Sequence, residues 1–260
     1  MSKISAIIIA RNEEDRIADC LDSISFCDEI IVVDGGSEDR TVDIAKRIGA
    51  KVFIYKTDNF SQLRNFGLEK AKGDWVLYID ADERVSDSLR ENIKYQISNI
   101  KYRDIVAYKI MRKNFYLGNH EWPYVEKLER LFRRDMLKRW KGRLHESPII
   151  DGKVGVLDGF LLHYTHRDIV SMLDKTIEWS KVEAELRFKS GHPKIVWWRF
   201  FRVMVTAFLN SYLKEGGWKV GTVGLIESMY QAFSIFITYA RLWEMQNKFK
   251  NQNEKVKSTN

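Results

Sequence analysis

Two aspartates follow an apolar run in the first third of the chain, at a spacing suited to cation chemistry. The run is Trp75–Ile79, and Asp80 and Asp82 follow it with Ala81 between them. Carboxylates beside a buried strand are costly to ionise unless their charge is compensated, and oxygen ligands suit Mg²⁺ and Mn²⁺. The pair could therefore share a divalent cation with a ligand's diphosphate. The alternative is a solvated acidic turn in which Ser86 caps the next helix.

The first hundred residues alternate between apolar runs and helical periodicity. Apolar runs predict strands at 4–10, 29–33, 52–55 and 75–79, and apolar positions at helical spacing predict helices near 17–24, 41–48 and 61–71. Repeated strand–helix units predict the α/β class, with a mostly parallel sheet and helices on both of its faces.

Polar residues follow three of these predicted strands. They are Arg11–Glu13, Asp34–Gly36 and Asp80–Asp82. Ligands of such sheets lie beyond the carboxyl ends of the strands, so we expect the three loops to form one site. No Gly-x-Gly-x-x-Gly follows the first strand and no P-loop motif occurs, which argues against a dinucleotide fold or a P-loop. A nucleotide in this site would be held by carboxylates and metal.

Four motifs in this order resemble the family 2 glycosyltransferases with the GT-A nucleotide-sugar-binding fold. They are Ile7–Glu14, Ile31–Thr41, Phe60–Asn65 and Asp80–Glu83. Within that family, Trp140–Pro148 and the later His163 are similar to the lipopolysaccharide-core β-glucosyltransferase group. The resemblance covers roughly residues 1–170 and implies a GT-A catalytic domain.

The resemblance also implies a role for each matching position. Contacts with the nucleotide sugar are expected from Ala10, Arg11, Glu13, Asp34, Gln62, Arg64, Asp80 and Ala81. A Mg²⁺ or Mn²⁺ bridging the two phosphates is expected on Asp80 and Asp82, with His163 as a further ligand. Such a cation neutralises charge on the departing nucleoside diphosphate, which makes Asp82 catalytic. The alternative for His163 is a satisfied histidine at a strand end.

Direct displacement at the anomeric carbon also needs a base for the acceptor hydroxyl. Glu146 is the leading candidate, in a predicted loop where functional side chains concentrate. His145 would orient Glu146, contact the metal or phosphates, or act as the base itself. The alternative is a surface loop in which Glu146 pairs with Arg143.

Basic side chains crowd the approach to His145 and Glu146. They are Lys127, Arg130, Arg133, Arg134, Lys138, Arg139, Lys141 and Arg143, in a chain of net charge +7. Such a cluster could bind an anionic acceptor, a phospholipid surface or nucleic acid, or be a solvated face. We favour a phosphorylated glycolipid or a membrane surface, and we expect no nucleic-acid partner.

The pattern changes near residue 165. An amphipathic helix is predicted over 168–188, a break at 191–193, an aromatic helix with spaced arginines from 195, and an apolar helix over 220–243. The uninterrupted apolar length falls short of the ~20 residues of a membrane span, which favours an interfacial helical hairpin. An oligomerisation surface or an ordinary helical core is the alternative. The predicted division is a GT-A domain at 1–165, a helical region at 166–247 and a polar tail at 248–260.

Length and composition fit one enzyme domain with an appendage. The chain has 260 residues, of which 45% are hydrophobic, enough for one full core. Its two cysteines, Cys20 and Cys27, suggest no disulfide framework and therefore a reducing compartment. The N-terminus enters the first strand without an apolar leader, so we do not expect secretion.

The resemblance, together with the basic cluster and the C-terminal helices, implies an inverting, metal-dependent glycosyltransferase on the cytoplasmic face of the membrane. It would move a hexose, with UDP-glucose as the best donor, to a hydroxyl of an anionic glycolipid such as lipopolysaccharide inner core. A polyprenyl-phosphate glycosyltransferase is the nearest rival, and a noncatalytic sugar-nucleotide or membrane-binding scaffold is the candidate from another class. A nucleotidyltransferase is disfavoured because no Gly-rich basic loop follows the first strand. The sequence leaves the oligomeric state open.

Overall fold

A computed structural model describes residues 2–99, 104–144 and 146–258, with side chains to residue 248. The chain forms two compact units. Unit 1 comprises Met1–Asn114 and Val125–Tyr164, and unit 2 comprises Phe115–Tyr124 and Thr165–Asn260. The short segment 115–124 therefore belongs with the C-terminal helices, although it lies between two stretches of unit 1. The predicted domain boundaries remain a prediction.

One eight-stranded sheet carries the N-terminal loops. In chain order its strands are β1 Ile4–Ala10, β2 Glu29–Asp34, β3 Lys51–Ile54, β4 Trp75–Asp80, β5 Glu83–Val85, β6 Ile105–Tyr116, β7 His120–Arg133 and β10 Lys153–Tyr164. The spatial order is β3-β2-β1-β4-β7-β6-β10-β5, and β8 Leu137–Lys141 pairs with β9 Ser147–Ile150 in a separate hairpin. The first four strands are parallel, whereas β4–β7 and β5–β10 are antiparallel. The predicted α/β class is confirmed, and the sheet is mixed beyond β4.

The register of the parallel strands brings three polar loops to one edge of the sheet. Ala10 of β1 is the partner of Asp34 of β2, and Ile9 of β1 is the partner of Asp80 of β4. The three strands therefore end level with one another, which is where parallel sheets bind ligands.

Both faces of β1 are buried, because successive side chains point to opposite sides of a strand. Ile8 packs in the cluster on one face and Ile7 in the cluster on the other. The helices of unit 1 are α1 Ile17–Ser23, α2 Thr41–Arg47, α3 Phe60–Lys70 and α4 Asp87–Ser98. At Gly67 of α3 a Cβ atom would come within 2.4 Å of Ile7 Cγ2, so the missing side chain lets α3 lie close to the sheet.

Unit 2 is helical, as predicted. Its helices are α5 Ile169–Lys189, α6 Trp197–Leu209 and α7 Gly221–Ser258, with a π-helical turn at Asn210–Lys214 and a 3-10 turn at Gly217–Val220. Its buried apolar cluster consists of Ala184, Ile195, Tyr239 and Leu242. By length and composition, the stretch Gly217–Lys248 is the one helical stretch in the described chain that could cross a membrane.

Polar contacts tie α5 to α7 inside unit 2. The Tyr230 hydroxyl donates to the Met172 carbonyl at 2.7 Å and lies 2.8 Å from Thr176 Oγ1. Glu227 is only 1% exposed. Its Oε2 atom lies 3.0 Å from His166 Nδ1, and its Oε1 atom accepts a hydrogen bond from the Gln231 amide at 2.7 Å. This face of α7 therefore carries polar groups that are satisfied within the protein.

Candidate active site

The loops after β1 and β2 hold each other by side-chain hydrogen bonds. Asp34 accepts from the backbone N–H of Gly36 and of Ser37, each at 2.9 Å, and from the Ser37 hydroxyl. Asn12 N–H donates to Ser37 Oγ at 2.9 Å, and Asn12 Oδ1 accepts from Glu38 N–H at 2.9 Å. Asn12 has φ 56°, a left-handed conformation that asparagine tolerates. The two loops are therefore organised before any ligand arrives.

The residues predicted to contact the nucleoside lie around these loops. Ala10 and Asp34 are buried side by side at the strand ends, and Arg11 is exposed next to Gly35. Gln62, in the first turn of α3, accepts from the Thr57 hydroxyl at 2.8 Å. Because the Asp34 carboxylate is buried and engaged by its own loop, its observed part in the structure is to shape this corner of the site.

Asp80 lies between two buried arginines. Its Oδ1 is 2.9 Å from Arg64 Nη2 and its Oδ2 is 2.7 Å from Arg130 Nη2. Burial works against ionisation, but the guanidinium groups of Arg130 and Arg64 outweigh it and hold the pKa of Asp80 far below its usual range. Asp80 is therefore a carboxylate at neutral pH, with both oxygens in ion pairs.

Glu83 completes a buried ionic layer beneath Asp80. The Glu83 side chain is 0% exposed; its Oε2 accepts from the Asp80 backbone N–H at 2.9 Å. Its Oε1 lies 2.9 Å from Arg112 Nη1 and 3.2 Å from Arg130 Nη2. Burial lowers the pKa of Arg130, but Asp80 and Glu83 outweigh burial and raise it. Sequence analysis placed Arg130 among the basic residues that precede Glu146. In the structure Arg130 is buried, because it forms ion pairs with Asp80 and Glu83.

Replacing Arg130 by methionine is expected to lower the free energy of unfolding by about 3–5 kcal/mol, because Asp80 and Glu83 lose a buried partner. Chemical denaturation at neutral pH measures the change. Arg130→Lys should recover part of the loss. The matched control is Arg133→Met, three residues along β7, where a half-exposed arginine pairs with Asp135 at 3.2 Å and the cost should stay below about 1 kcal/mol. Equal losses in the two methionine variants would contradict a buried ionic layer.

Arg64 joins Asp80 to Glu146. Its Nε and Nη2 atoms both lie 2.7 Å from Glu146 Oε1, and its guanidinium carbon lies 4.9 Å from the centre of the Trp140 ring. Among the described residues, nothing accepts a hydrogen bond from the buried Arg64 Nη1. Arg64 thus uses two of its nitrogens to join the two carboxylates, while Nη1 stays buried beside the Trp140 and Tyr78 rings.

The pairing of Glu146 differs from the alternative drawn from the sequence. Arg143, the partner in that alternative, pairs with Asp58. Glu146 instead turns inward to Arg64 and is mostly buried. His145, the other candidate base, lies outside the described residues.

Asp82 and His163 face each other in a way that suits a cation. His163 Nδ1 is 2.7 Å from Asn114 Oδ1, and His163 Nε2 is 3.2 Å from Asp82 Oδ2. A neutral ring that donates from Nδ1 to Asn114 turns the lone pair of Nε2 towards the carboxylate. In the tautomer with the proton on Nε2, the contact is an ordinary hydrogen bond to Asp82; in the other tautomer, the two acceptors can share a cation.

The donor set therefore fits a divalent cation at Asp82 and His163, and it fits less well at Asp80, whose oxygens are engaged by arginines. No group of three or more His, Cys, Asp or Glu side chains within the described ranges could hold a metal ion by itself. Cations that bind with nucleoside diphosphates commonly use one or two protein ligands and take the rest from phosphate and water. Arg16 borders this pair, with Nη1 3.6 Å from Asp82 Oδ2 and Nη2 2.7 Å from Glu13 Oε2.

Reasoning from the sequence missed Arg16, Arg112 and Asn114. Arg112 and Asn114 are two residues apart on β6, so their side chains point to the same face of the strand. A polar pair at that spacing within a long strand was the available signal, but it required the strand to be recognised first. Arg16 carries no comparable signal.

Comparisons with known proteins agree on one family. The profile of Glycosyl transferase family 2 matches residues 5–150. The chain is 31% identical over 264 residues to an uncharacterized glycosyltransferase of Rickettsia typhi, covering 96% of this chain and 90% of that protein. It is 30% identical over 256 residues to the lipopolysaccharide core biosynthesis glycosyltransferase LpsC of Rhizobium meliloti, covering 93% of this chain and 92% of that protein.

Similarity to solved structures is weaker. Glucosyl-3-phosphoglycerate synthase from Mycobacterium tuberculosis, in complex with Mn²⁺, uridine-diphosphate-glucose and phosphoglyceric acid, is 22% identical, with a TM-score of 0.37. The match covers 52% of this chain and 58% of that chain, and a likeness of this size carries no weight for function.

Proposed function

The chain belongs to glycosyl transferase family 2, and on that premise we propose that it moves a hexose from a nucleoside diphosphate sugar to a hydroxyl of an anionic glycolipid. UDP-glucose is the donor we favour, and lipopolysaccharide inner core is the acceptor class. The observation that carries the proposal is the level ending of β1, β2 and β4, which gathers carboxylates, arginines and an organised loop pair at one edge of the sheet.

In this proposal the donor lies across the three strand-end loops. The nucleoside binds near Ala10, Arg11 and Asp34, and the diphosphate approaches the guanidinium of Arg64, which already joins Asp80 to Glu146. A Mg²⁺ or Mn²⁺ held by Asp82 and His163 would supply charge neutralisation for the leaving diphosphate. The orientation of His163 is fixed by Asn114, a hydrogen bond of the kind that fixes histidine ligands for metals.

The chemical step needs a base and a clear direction of attack. Glu146 accepts the proton of the acceptor hydroxyl while the oxygen forms a bond to the anomeric carbon and the bond from that carbon to the phosphate oxygen breaks. The electron pair leaves with the nucleoside diphosphate, and attack opposite the leaving group inverts the anomeric centre. The ion pair with Arg64 holds the Glu146 carboxylate beside the diphosphate until the acceptor arrives.

Charge supports an anionic acceptor and a cytoplasmic membrane location. Of the basic residues that precede Glu146 in the sequence, five are exposed. They are Lys127, Arg134, Lys138, Arg139 and Lys141. A surface with this charge attracts phosphorylated glycolipids and anionic leaflets. The name of the Rhizobium meliloti relative supports the same acceptor class. Membrane contact would come from the C-terminal helices.

A thermal-shift panel of sugar nucleotides, with and without Mn²⁺, tests the donor class. UDP-glucose at about a hundred times its Kd should stabilise the protein by roughly 2.7 kcal/mol and raise Tm by several degrees, with a larger shift when Mn²⁺ is present. GDP-mannose serves as the matched control for the base and sugar. The absence of any shift across the panel would overturn the proposal.

Product analysis separates the remaining candidates. Radiolabelled hexose should enter lipopolysaccharide core that lacks it and should leave polyprenyl phosphate unlabelled. Label on polyprenyl phosphate would favour that rival transferase. Donor binding with neither hydrolysis nor transfer would favour a noncatalytic scaffold.

A further inference from the structure

The outer face of α6 is apolar, although it is exposed. Trp197, Phe201, Val205 and Leu209 recur every fourth residue along it, and Trp197 is 75% and Phe201 66% exposed. Residues four apart lie on the same side of a helix, so these side chains form one stripe. Large exposed apolar patches on a folded protein mark a surface that binds something apolar.

Helix α7, which packs against α6, also exposes apolar side chains. Its first turns expose Leu225, Ile226, Met229 and Phe233. The inner side of α6 is also apolar, with Phe200 and Val203 packed against the buried cluster of unit 2. Burial inside unit 2 therefore accounts for one side of α6 and leaves the outer stripe unexplained.

Basic residues are frequent in the segment that carries this stripe, and two of them lie against tryptophan rings. The basic residues are Lys194, Arg199, Arg202, Lys214 and Lys219, while Glu215 is the sole acidic residue between positions 193 and 219. The Arg202 guanidinium lies 5.7 Å from the centre of the Trp198 ring, and the Lys219 ammonium lies 5.5 Å from that of Trp218. Apolar side chains rimmed by tryptophan and cations are typical of helices that lie in the interface of an anionic bilayer.

We propose that the stripe of α6, with Leu225, Ile226, Met229 and Phe233 of α7, rests on an anionic phospholipid bilayer, with both helices parallel to the membrane plane. The proposal deepens the proposed function, on which its biological role rests, by assigning the membrane contact to one face of unit 2.

A membrane-spanning orientation is disfavoured for α6 and for α7, for different reasons. Helix α6 has 13 residues and is about 20 Å long, shorter than the ~30 Å hydrocarbon core. Helix α7 is long enough, but α5 is tied to it by the contacts of Tyr230 with Met172 and Thr176. Helix α5 carries charged residues throughout, so insertion of α7 would draw those charges into hydrocarbon or break the pairing.

A second copy of the chain is the other occupant to consider. An isologous contact uses the same face of both copies, so it would gather the cations of both copies at one interface, with no acidic residue on α6 to offset them. An anionic lipid surface instead complements these cations. The observations therefore favour lipid.

Flotation with vesicles tests the proposal on the full chain. Vesicles of phosphatidylcholine and vesicles of equal parts phosphatidylcholine and phosphatidylglycerol are compared at low and high salt. The protein should float with the anionic vesicles and be released by high salt or alkaline carbonate, as a peripheral protein is. Trp197→Ala combined with Phe201→Ala should weaken binding roughly tenfold or more. Tyr95→Ala, an exposed aromatic of α4, is the matched control and should bind normally.

A double substitution of two basic residues gives the second part of the vesicle-binding test. Arg202→Gln with Lys219→Gln should weaken anionic-vesicle binding roughly twenty-five-fold, at about fivefold per charge. Lys46→Gln with Arg47→Gln on α2 removes the same net charge elsewhere and should leave binding within about twofold. Equal losses in the two pairs would show a nonspecific charge effect and overturn the assignment.

Three further results would overturn the assignment of this face to a lipid surface. They are resistance to carbonate, absence of flotation, and a dimer in sedimentation equilibrium that dissociates in the Trp197→Ala and Phe201→Ala variant. Donor hydrolysis in solution is measured in parallel and should be unchanged in all these variants. Vesicle binding without hydrolysis would count against the proposed function alone, and hydrolysis without vesicle binding against the membrane face alone.

Discussion

Replacing Asp82 by asparagine is expected to lower the rate of hexose transfer roughly a hundredfold to a thousandfold. The change keeps the shape of the side chain but removes the charge that faces His163 Nε2 at 3.2 Å. Without that charge the pair loses its fit to a divalent cation, so the donor should also lose its Mn²⁺-dependent binding. The rate is measured at saturating donor and Mn²⁺, and the binding by calorimetry with and without Mn²⁺.

A matched control for Asp82→Asn is Asp135→Asn, at an exposed aspartate paired with Arg133. This control should keep its rate and its response to Mn²⁺. An Asp82→Asn variant that transfers hexose within about threefold of the original rate would remove Asp82 from the catalytic set and with it the assigned cation site.

Glu146→Gln is expected to change two quantities in opposite directions. Hexose transfer should fall by roughly two to four orders of magnitude, because glutamine cannot accept the proton of the acceptor hydroxyl. Donor affinity should rise about threefold to tenfold, because Arg64 loses its charged partner and can turn to the diphosphate. Single-turnover transfer and calorimetric titration with UDP-glucose provide the two measurements.

The control for Glu146→Gln is Asp58→Asn. Asp58 pairs with Arg143, so this variant removes an ion pair to the same loop without touching Arg64. It should leave both the rate and the donor affinity near their original values. Unchanged transfer in Glu146→Gln would exclude Glu146 as the base and direct attention to His145→Ala. Weaker donor binding in Glu146→Gln would contradict the sharing of Arg64.

Local pattern was enough to predict the parallel half of the sheet. The apolar runs that became β1, β2 and β4 are buried on both faces, so their composition reports their environment directly. Each of the three also ends in a polar loop. The association of those loops then follows from the rule for parallel sheets, without any long-range information.

The supporting residues of the site could not be predicted in the same way. Arg112, Asn114 and Arg130 lie on β6 and β7, long strands of mixed polarity whose character depends on their sheet neighbours. Arg130 has the sequence environment of an exposed cation and becomes buried because Asp80 and Glu83, about fifty positions away, meet it across the sheet. Pairing at that separation leaves no local trace in a single sequence.

The assignment of segment 115–124 to unit 2 limits how recombination could exchange the helical unit between related proteins. Trp122, only 2% exposed, packs so closely on Gly217 that a Cβ there would come within 2.8 Å of the indole, and Leu117 N–H donates to the His166 carbonyl at 2.8 Å. A chain shortened to residue 164 would keep segment 115–124, which joins β6 to β7, and would lose the residues of unit 2 that cover it. The helical part is therefore not a detachable module that recombination can exchange at a single splice, and the two units should be gained or lost together.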